Sequence, residues 1–454
     1  MNILFLHPNF PAQFRHLASA LAQDSRHQVV FGTARREGSI PGVTKALYHT
    51  TRKVGADTHA YLRALEDATL TGQAAYRMGQ QLKSDGFTPD VIFGHSGWGP
   101  TLFMKDLFPK AQLNGYFEWF YHAHGSDADF DPSEPMLADD EARIRMKNTT
   151  ILTDLYSCDR GLSPTHWQQQ QFPKAFQSKI SVMHDGIDTD FFRPKPGEKT
   201  RAKLVLPSIG LDLSEAEEII TYVARGMEPY RGFPQFIEAA ALLQKRRPNC
   251  HIVVVGEDRT AYGRRRKDGK TYKEWMLENT SLALSRIHFT GRLSYPEYLQ
   301  VIQASSVHVY LTRPFVLSWS FLEALSTGCA VVASDTAPVQ EVIKDSENGL
   351  LVDFFSPDAI ANRVEEILEN PNLRHELSAN ARQTILERYD LAKLLPHQIE
   401  WLTGETPRLE QHKSASAKVA KPSGFATRSE AKPRKGKNPA KKSKAKSKSV
   451  LQSA

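Results

Sequence analysis

Cysteine is scarce in this 454-residue chain: Cys158, Cys250 and Cys329 are far apart and form no CxxC pair. That spacing supports neither a disulfide framework nor a structural zinc site, and it fits a reducing compartment. Long apolar runs are also missing; none approaches the roughly 18 residues that a membrane-spanning helix needs. The opening MNILFLHPNF starts as a strand and lacks the basic start, apolar stretch and cleavage site of a secretory leader, so a cytoplasmic protein is expected. No GxxxxGK[ST] phosphate loop occurs, and Gly94-His-Ser-Gly97-Trp-Gly99 has the wrong glycine order for a dinucleotide fingerprint. P-loop ATP and NAD readings therefore lose their main support.

What is present is the composition of a soluble globular chain, with 40% hydrophobic and 24% charged residues. The formal net charge of +7 is unevenly placed, because Glu405 to Ala454 carries 14 Lys/Arg against 3 Asp/Glu and leaves −4 for the preceding 404 residues. A basic pI as an argument for anionic partners thus applies to the tail alone. Its lysines, Lys442 to Lys448 above all, suit peripheral contact with an anionic membrane at its inner face. Phe425 is the one aromatic there, so specific single-strand nucleic-acid recognition is not expected.

Apolar strand-like runs alternate with helix-like stretches, the pattern of parallel βαβ units. The first half places strands at Asn2–His7, Gln28–Thr33, Asp90–His95, Gln112–Glu118, Gly161–Thr165 and Ile180–His184. The second half repeats them at Ile220–Arg225, His251–Asp258, Ile287–Arg292, Val307–Arg313, Ala330–Asp335 and Gly349–Phe354. The class is α/β with two facing Rossmann-like domains: 1–194, and 195–390 after a Pro/Gly hinge at Arg193-Pro194-Lys195-Pro196-Gly197. Helices follow at Ser356–Glu369 and His375–Tyr389; 391–404 is a crossover helix returning to the first domain, and 405–454 a disordered Lys-rich tail.

Two segments carry candidate chemistry. Arg225 and Arg231 lie six residues apart on a strand-to-helix connection, where two guanidinium forks can converge on a phosphate chain. A pair of surface arginines is the alternative. Arg313 to Gly328 holds a turn rich in small hydroxyls, Ser318-Trp319-Ser320, and then one acid, Glu323, among Phe321, Leu322, Ala324 and Leu325. The turn amides suit a diphosphate, and a carboxylate in apolar company suits two ribose hydroxyls; an acid facing solvent is the alternative.

The order Arg225…Arg231-Gly232, Val253-Val-Val-Gly256-Glu, Phe289-Thr-Gly291-Arg-Leu293, Phe321-Leu-Glu323-Ala, Pro338-Val-Gln-Glu341 and Asn348-Gly349-Leu-Leu-Val352 resembles the second domain of glycosyltransferase family 4. His184-Asp185-Gly186-Ile187-Asp188 is similar to that family's turn at the domain junction. The resemblance implies a GT-B-type fold and a retaining transferase. It would carry a sugar from a nucleotide-diphosphate donor to a carbohydrate, lipid-linked or other hydroxyl acceptor in surface polysaccharide or glycoconjugate biosynthesis. It implies no metal and no cofactor beyond that donor substrate. It assigns Arg225 and Arg231 to the diphosphate, Glu323 to the ribose, and Gly291 to Leu293 to the base. The family's second glutamate, eight positions before Glu323, is Phe315 here, which keeps open a non-catalytic nucleotide-sugar binder. A sugar-nucleotide epimerase or phosphorylase on the same fold is the other alternative.

In the first domain His95 and Glu118 are the leading candidates for contacting the donor sugar or attacking hydroxyl, with Asp127 behind them. A structural histidine is the competing reading for His95, and core packing for the aromatics around Tyr116 to Tyr121. His95, His122 and His124 lack the spacing of a metal-binding helix. The run Arg264-Arg-Arg-Lys267 reads as a solvated loop or an anion contact.

Overall fold

A computed structural model describes residues 1–195 and 203–405. The expected hinge residues Pro196 and Gly197 and the tail beyond Glu405 lie outside the described residues. The first sheet contains β1 (Asn2–Leu6), β2 (Gln28–Thr33), β3 (Val43–Leu47), β4 (Val91–His95), β5 (Gln112–Tyr116), β6 (Arg160–Ser163) and β7 (Ile180–Val182). After a short antiparallel hairpin of β8 (Leu204–Leu206) and β9 (Leu211–Leu213), the second sheet contains β10 (Glu218–Gly226), β11 (Cys250–Glu257), β12 (Ile287–Gly291), β13 (Val307–Tyr310), β14 (Val331–Ser334) and β15 (Leu350–Val352). Both large sheets are parallel throughout, ordered β3-β2-β1-β4-β5-β6-β7 and β12-β11-β10-β13-β14-β15. Two Rossmann-like domains of the GT-B type result.

Continuous apolar runs form these strands because helices cover both faces of each sheet. Ile3 and Phe5 pack into one core of the first domain and Leu4 and Leu6 into the other. In the second sheet Ile252 and Val254 face one core while Val253 and Val255 face another. Three strands carry no such run. Edge strand β3, VTKAL, is only half-buried, and the β8–β9 hairpin has three residues per strand, so neither was predicted.

In each sheet the order reverses beside the strand that comes first in the chain, between β1 and β4 and between β10 and β13. Ligand crevices open at such points, beyond the carboxyl ends of the strands. His7 and His95 therefore stand at the first reversal, and Arg225 and Arg313 at the second.

The chain crosses between domains twice, and the crossings lie side by side. Ile187 N–H donates to Tyr389 O at 2.8 Å, and Leu391 N–H donates to Ile187 O at 2.9 Å. Gly186 fits this approach for two reasons: its φ is +88°, and a Cβ there would lie 2.9 Å from Leu391 Cα. Helix Leu391–Thr403 then lies on the first domain, with Ile399 and Leu402 in the core that holds Phe5 and Phe93. Trp401 meets Phe93 at 5.5 Å, and Gln398 Nε2 donates to His184 O at 2.8 Å. Among the described residues no helix is long and apolar enough to cross a membrane.

Leu402 is fully buried in the first domain although it follows the second in sequence. Leu402→Ala is therefore expected to lower stability by about 2–5 kcal/mol, the usual cost of emptying such a site. A shift in the denaturant midpoint at unchanged slope is the check; an unaltered midpoint would show that the helix does not hold the first domain.

Candidate active site

On the first rim, the carboxyl ends of β1, β4 and β5 bring together His7, His95 and Glu118. The His7 and His95 rings meet edge-on at 4.9 Å. His95 Nδ1 lies 2.9 Å from Ser96 O, an acceptor that requires the proton on this nitrogen. Its Nε2 then faces Glu118 Oε2 at 3.5 Å. Gln13 Nε2 donates to the other Glu118 oxygen at 2.8 Å. Burial pushes the Glu118 carboxyl up, but the hydrogen bond and charge of His95, the Gln13 amide and the charge of Arg225 outweigh it and hold the acid below its usual range. His7 sits well below the ordinary imidazole value through burial and the neighbouring His95, so it is neutral, with Nδ1 accepting from Asn9 N–H at 2.8 Å.

On the second rim, Arg225 ends β10, exposed to the cleft and, among the described residues, without a hydrogen-bond or ion-pair partner. Arg231 differs. It is buried, and its Nη1 donates to Tyr310 Oη at 3.0 Å and Thr312 Oγ1 at 2.7 Å, while Nη2 donates to Val316 O at 3.0 Å. These bonds fix the turn that leads to helix Trp319–Ser326. Gly232 follows at φ +61°, where a Cβ would lie 2.5 Å from Leu311 Cβ, so the chain can enter helix Phe233–Arg246 only through glycine.

Ser318 caps the Trp319–Ser326 helix, its amide donating to Tyr310 Oη at 2.9 Å and its hydroxyl 2.7 Å from that of Ser320. The Trp319 and Ser320 amides, in the first turn, have no intrahelical acceptor. One turn later Glu323 is buried; burial raises its carboxyl to about 7, against a small opposing effect of the Tyr298 hydroxyl. Gly291, at φ +67°, ends β12 and leads to a partly buried Leu293.

Asp185 joins the rims. It accepts from Tyr116 Oη at 2.9 Å on the first domain and from Trp319 Nε1 at 3.1 Å on the second. Burial, with help from the Glu118 charge, raises its acid to about 7 against the pull of those two donors and His95.

A strap after β5 ties the domains further. Phe130 stacks on Phe355 at 5.0 Å and meets Phe354 edge-on at 5.2 Å. Buried Arg313 donates to Asp131 and Glu134, each at 3.1 Å, and Tyr230 Oη donates to Asp127 at 2.7 Å. Asp127 thus lies in the strap contact, apart from the His95–Glu118 pair. Phe315 is enclosed by Trp119, Tyr230 and Tyr262 at 5.0, 5.5 and 5.4 Å, with the Arg231 guanidinium 5.9 Å above its ring. The aromatics after β5 therefore serve the interface and the cores together.

Several positions were not singled out from the sequence. Asp185 was visible only as part of a turn, and His7 and Gln13 lacked any spacing signal. Glu228 is fully buried and accepts from the amides of Ala261, Tyr262 and Gly263 at 2.7–3.1 Å, shaping the loop after β11. Glu341, quoted within a motif, accepts from the His166 and Trp167 amides of the first domain at 2.9 and 2.8 Å. Among the described residues no group of three or more His, Cys, Asp or Glu is placed to hold a metal ion.

Family models match both halves: the glycosyl transferase family 4 group over residues 25–192, and glycosyl transferases group 1 over residues 210–384. The chain belongs to the group 1 glycosyltransferases of the family 4 type. Among curated relatives, this glycosyltransferase is 29% identical over 206 residues to the alpha-D-kanosaminyltransferase of Streptomyces kanamyceticus, covering 45% of this chain and 50% of that one. An uncharacterised glycosyltransferase of Methanocaldococcus jannaschii is 32% identical over 108 residues, 24% of this chain and 28% of the relative. The chain spans half or less of the length of these two relatives. The solved structure of Anabaena HepE in complex with UDP and glucose superimposes with a TM-score of 0.65 at 16% identity, covering 89% of this chain and 100% of that one. Sucrose-phosphate synthase from Thermosynechococcus elongatus gives 0.66 at 16% identity, covering 88% and 98%. These are likenesses of fold.

Asp185 supplies a pH prediction. An acid raised to about 7 in the fold, against an ordinary value near 3.8, favours the folded state below pH about 4 and loses that contribution as pH rises through about 7. Stability of the parent chain relative to Asp185→Asn is expected to fall across that window, read from denaturant midpoints at pH 4.5, 6 and 7.5. A difference that does not change with pH contradicts the raised value.

Proposed function

We propose that this glycosyltransferase moves a sugar, with retention at the anomeric carbon and without a metal, from a nucleotide-diphosphate sugar to a hydroxyl of a glycan or lipid-linked acceptor. The observation that carries the reading is the unpartnered Arg225 at the reversal of one sheet, acting across the cleft on Glu118 beside His95 at the reversal of the other. A cation held without a partner at the carboxyl ends of parallel strands suits the charge that grows on a departing diphosphate. HepE, with UDP and glucose, and the UDP-glucose form of the same protein support the donor class.

In this reading the Trp319 and Ser320 amides and Arg225 receive the diphosphate, Arg231 holds the turn and offers its remaining N–H groups, and Glu323 takes the ribose hydroxyls. Gly291 to Leu293 meet the base. His95 and Glu118 orient sugar hydroxyls. The acceptor oxygen forms its bond to the anomeric carbon on the face the diphosphate leaves, and a diphosphate oxygen takes the acceptor's proton. A place in surface polysaccharide or glycoconjugate synthesis, in the cytoplasm or at the inner membrane face through the basic tail, belongs to the same proposal.

Removing one preorganised donor commonly costs about 2.7–4 kcal/mol, or 10²–10³ in kcat. Arg225→Ala is expected to lose that much in hydrolysis of labelled UDP-glucose or GDP-mannose, whichever the parent turns over; normal turnover refutes the role. A nucleotide-binding protein without transferase activity is the second reading, favoured by Phe315, whose ring stands where a sugar-binding glutamate is expected. Calorimetric binding of a sugar nucleotide with no hydrolysis or transfer would select it.

Glu323 provides an independent check. Ribose hydroxyls donating to its carboxylate favour the ionised form, so an acid near 7 should release a proton as nucleotide binds. Titration of UDP at pH 6.5 in two buffers of different ionisation enthalpy is expected to report that release, and Glu323→Gln to abolish it. Equal enthalpies in both buffers for the parent chain speak against the ribose role.

A further inference from the structure

A cavity of about 420 Å³ lies between the domains and is lined by none of the donor-site residues assigned above. Its walls are the strap, the starts of helix Arg63–Ser84 and of the loop after β11, helix Ala138–Lys147, and Pro229–Tyr230. The volume falls in the range of small-molecule sites. Its chemistry is uneven. Arg313 is matched by Asp131 and Glu134, while Arg264 and Arg143 share Asp140. Arg63 and Lys147 have no such carboxylate. Arg63 gives one hydrogen bond, Nη1 to Gly55 O at 3.0 Å, and the Lys147 ammonium rests 3.5 Å from the centre of the Tyr121 ring.

Asp127, which also lines the cavity, reaches Lys147 with its charge. Both of its oxygens are occupied, one by the Ser126 hydroxyl at 3.0 Å and the other by Tyr230 Oη at 2.7 Å, and burial raises its carboxyl. The lining cations, Arg63, Arg143, Lys147, Arg264 and Arg313, outnumber the lining carboxylates, Asp127 and Glu134, and they stand among the rings of Tyr61, Tyr121, Tyr230 and Tyr262. Rings that cover the apolar face of a pyranose, beside two cations with free donors, match a sugar that carries an anionic group.

We infer that this cavity is the subsite for an anionic sugar unit of the acceptor, a sugar phosphate or a uronate, gripped by Arg63 and Lys147. The inference rests on the transferase reading and deepens it. The Tyr262 ring that lines the cavity also faces the Arg231 guanidinium at 5.3 Å, so the bound unit lies one aromatic layer from the turn that holds the donor. An acceptor reaching from this subsite into the cleft would present its hydroxyl at a fixed distance, which makes the subsite a determinant of acceptor choice.

Titration of the full chain with glucose 6-phosphate, glucuronate and glucose by saturation-transfer NMR tests this. At least one of the two acids is expected to bind tenfold or more tightly than glucose, and the stronger one identifies phosphate or carboxylate as the recognised group. Arg63→Ala and Lys147→Ala should each weaken that acid tenfold or more, and Lys147→Arg should retain it. Both residues lie outside the donor machinery, so the thermal shift produced by UDP should be the same in all variants. The inference is overturned if neither acid binds better than glucose, or if both alanine variants bind it as the parent does. A parent chain that shows no shift with UDP or GDP overturns the donor reading instead, and with it the acceptor role of the subsite.

Discussion

The arrangement of both rims depends on the paired crossings at Ile187 and Asp390. Two backbone hydrogen bonds and a glycine that admits Leu391 bring the outgoing and returning chains together. Because helix Leu391–Thr403 is then buried in the first domain, the second domain is held at both of its ends. Only with that double attachment do the reversals of the two sheets face one another, and only there do His95, Glu118 and Arg225 come within electrostatic reach.

The interface adds contacts that a pair of independent domains would not have. Glu341 places a carboxylate on two amides of the first domain, Asp185 takes donors from both sides, and the strap buries Phe130 against the second core. Arg313 is the costly member: a guanidinium only 2% exposed is tolerable because two carboxylates and the face of Tyr230 surround it. These contacts lie on different flanks of the cleft, so opening it requires several of them to break together.

Much of this was legible in the sequence. The long apolar runs marked β1, β2, β4 and β5 and the whole second sheet, because strands buried on both faces leave no other pattern. Strand ends were read one to three residues too long where buried loop residues continue the run, as at Phe117 and Leu311. Edge strand β3 escaped because half its side chains are solvated. The spacing of Arg225 and Arg231 was visible, but not that one is free and the other enclosed. That difference arises from Tyr310, Thr312 and Val316, some 80 residues away, which no local pattern reports.

Phe315 shows how a single departure can be absorbed by its surroundings. A glutamate at this point would be enclosed by the rings of Trp119, Tyr230 and Tyr262. The phenylalanine instead completes an aromatic enclosure that spans both domains and supports the Arg231 guanidinium from below. In the transferase reading proposed above, sugar recognition therefore falls to other groups of the cleft. The first rim has the groups for it, since His95, Glu118 and Gln13 already form a polar chain whose members hold one another in place. In that proposal the burden of sugar contact moves from the second domain to the first, and depends on the paired crossings that bring the two rims together.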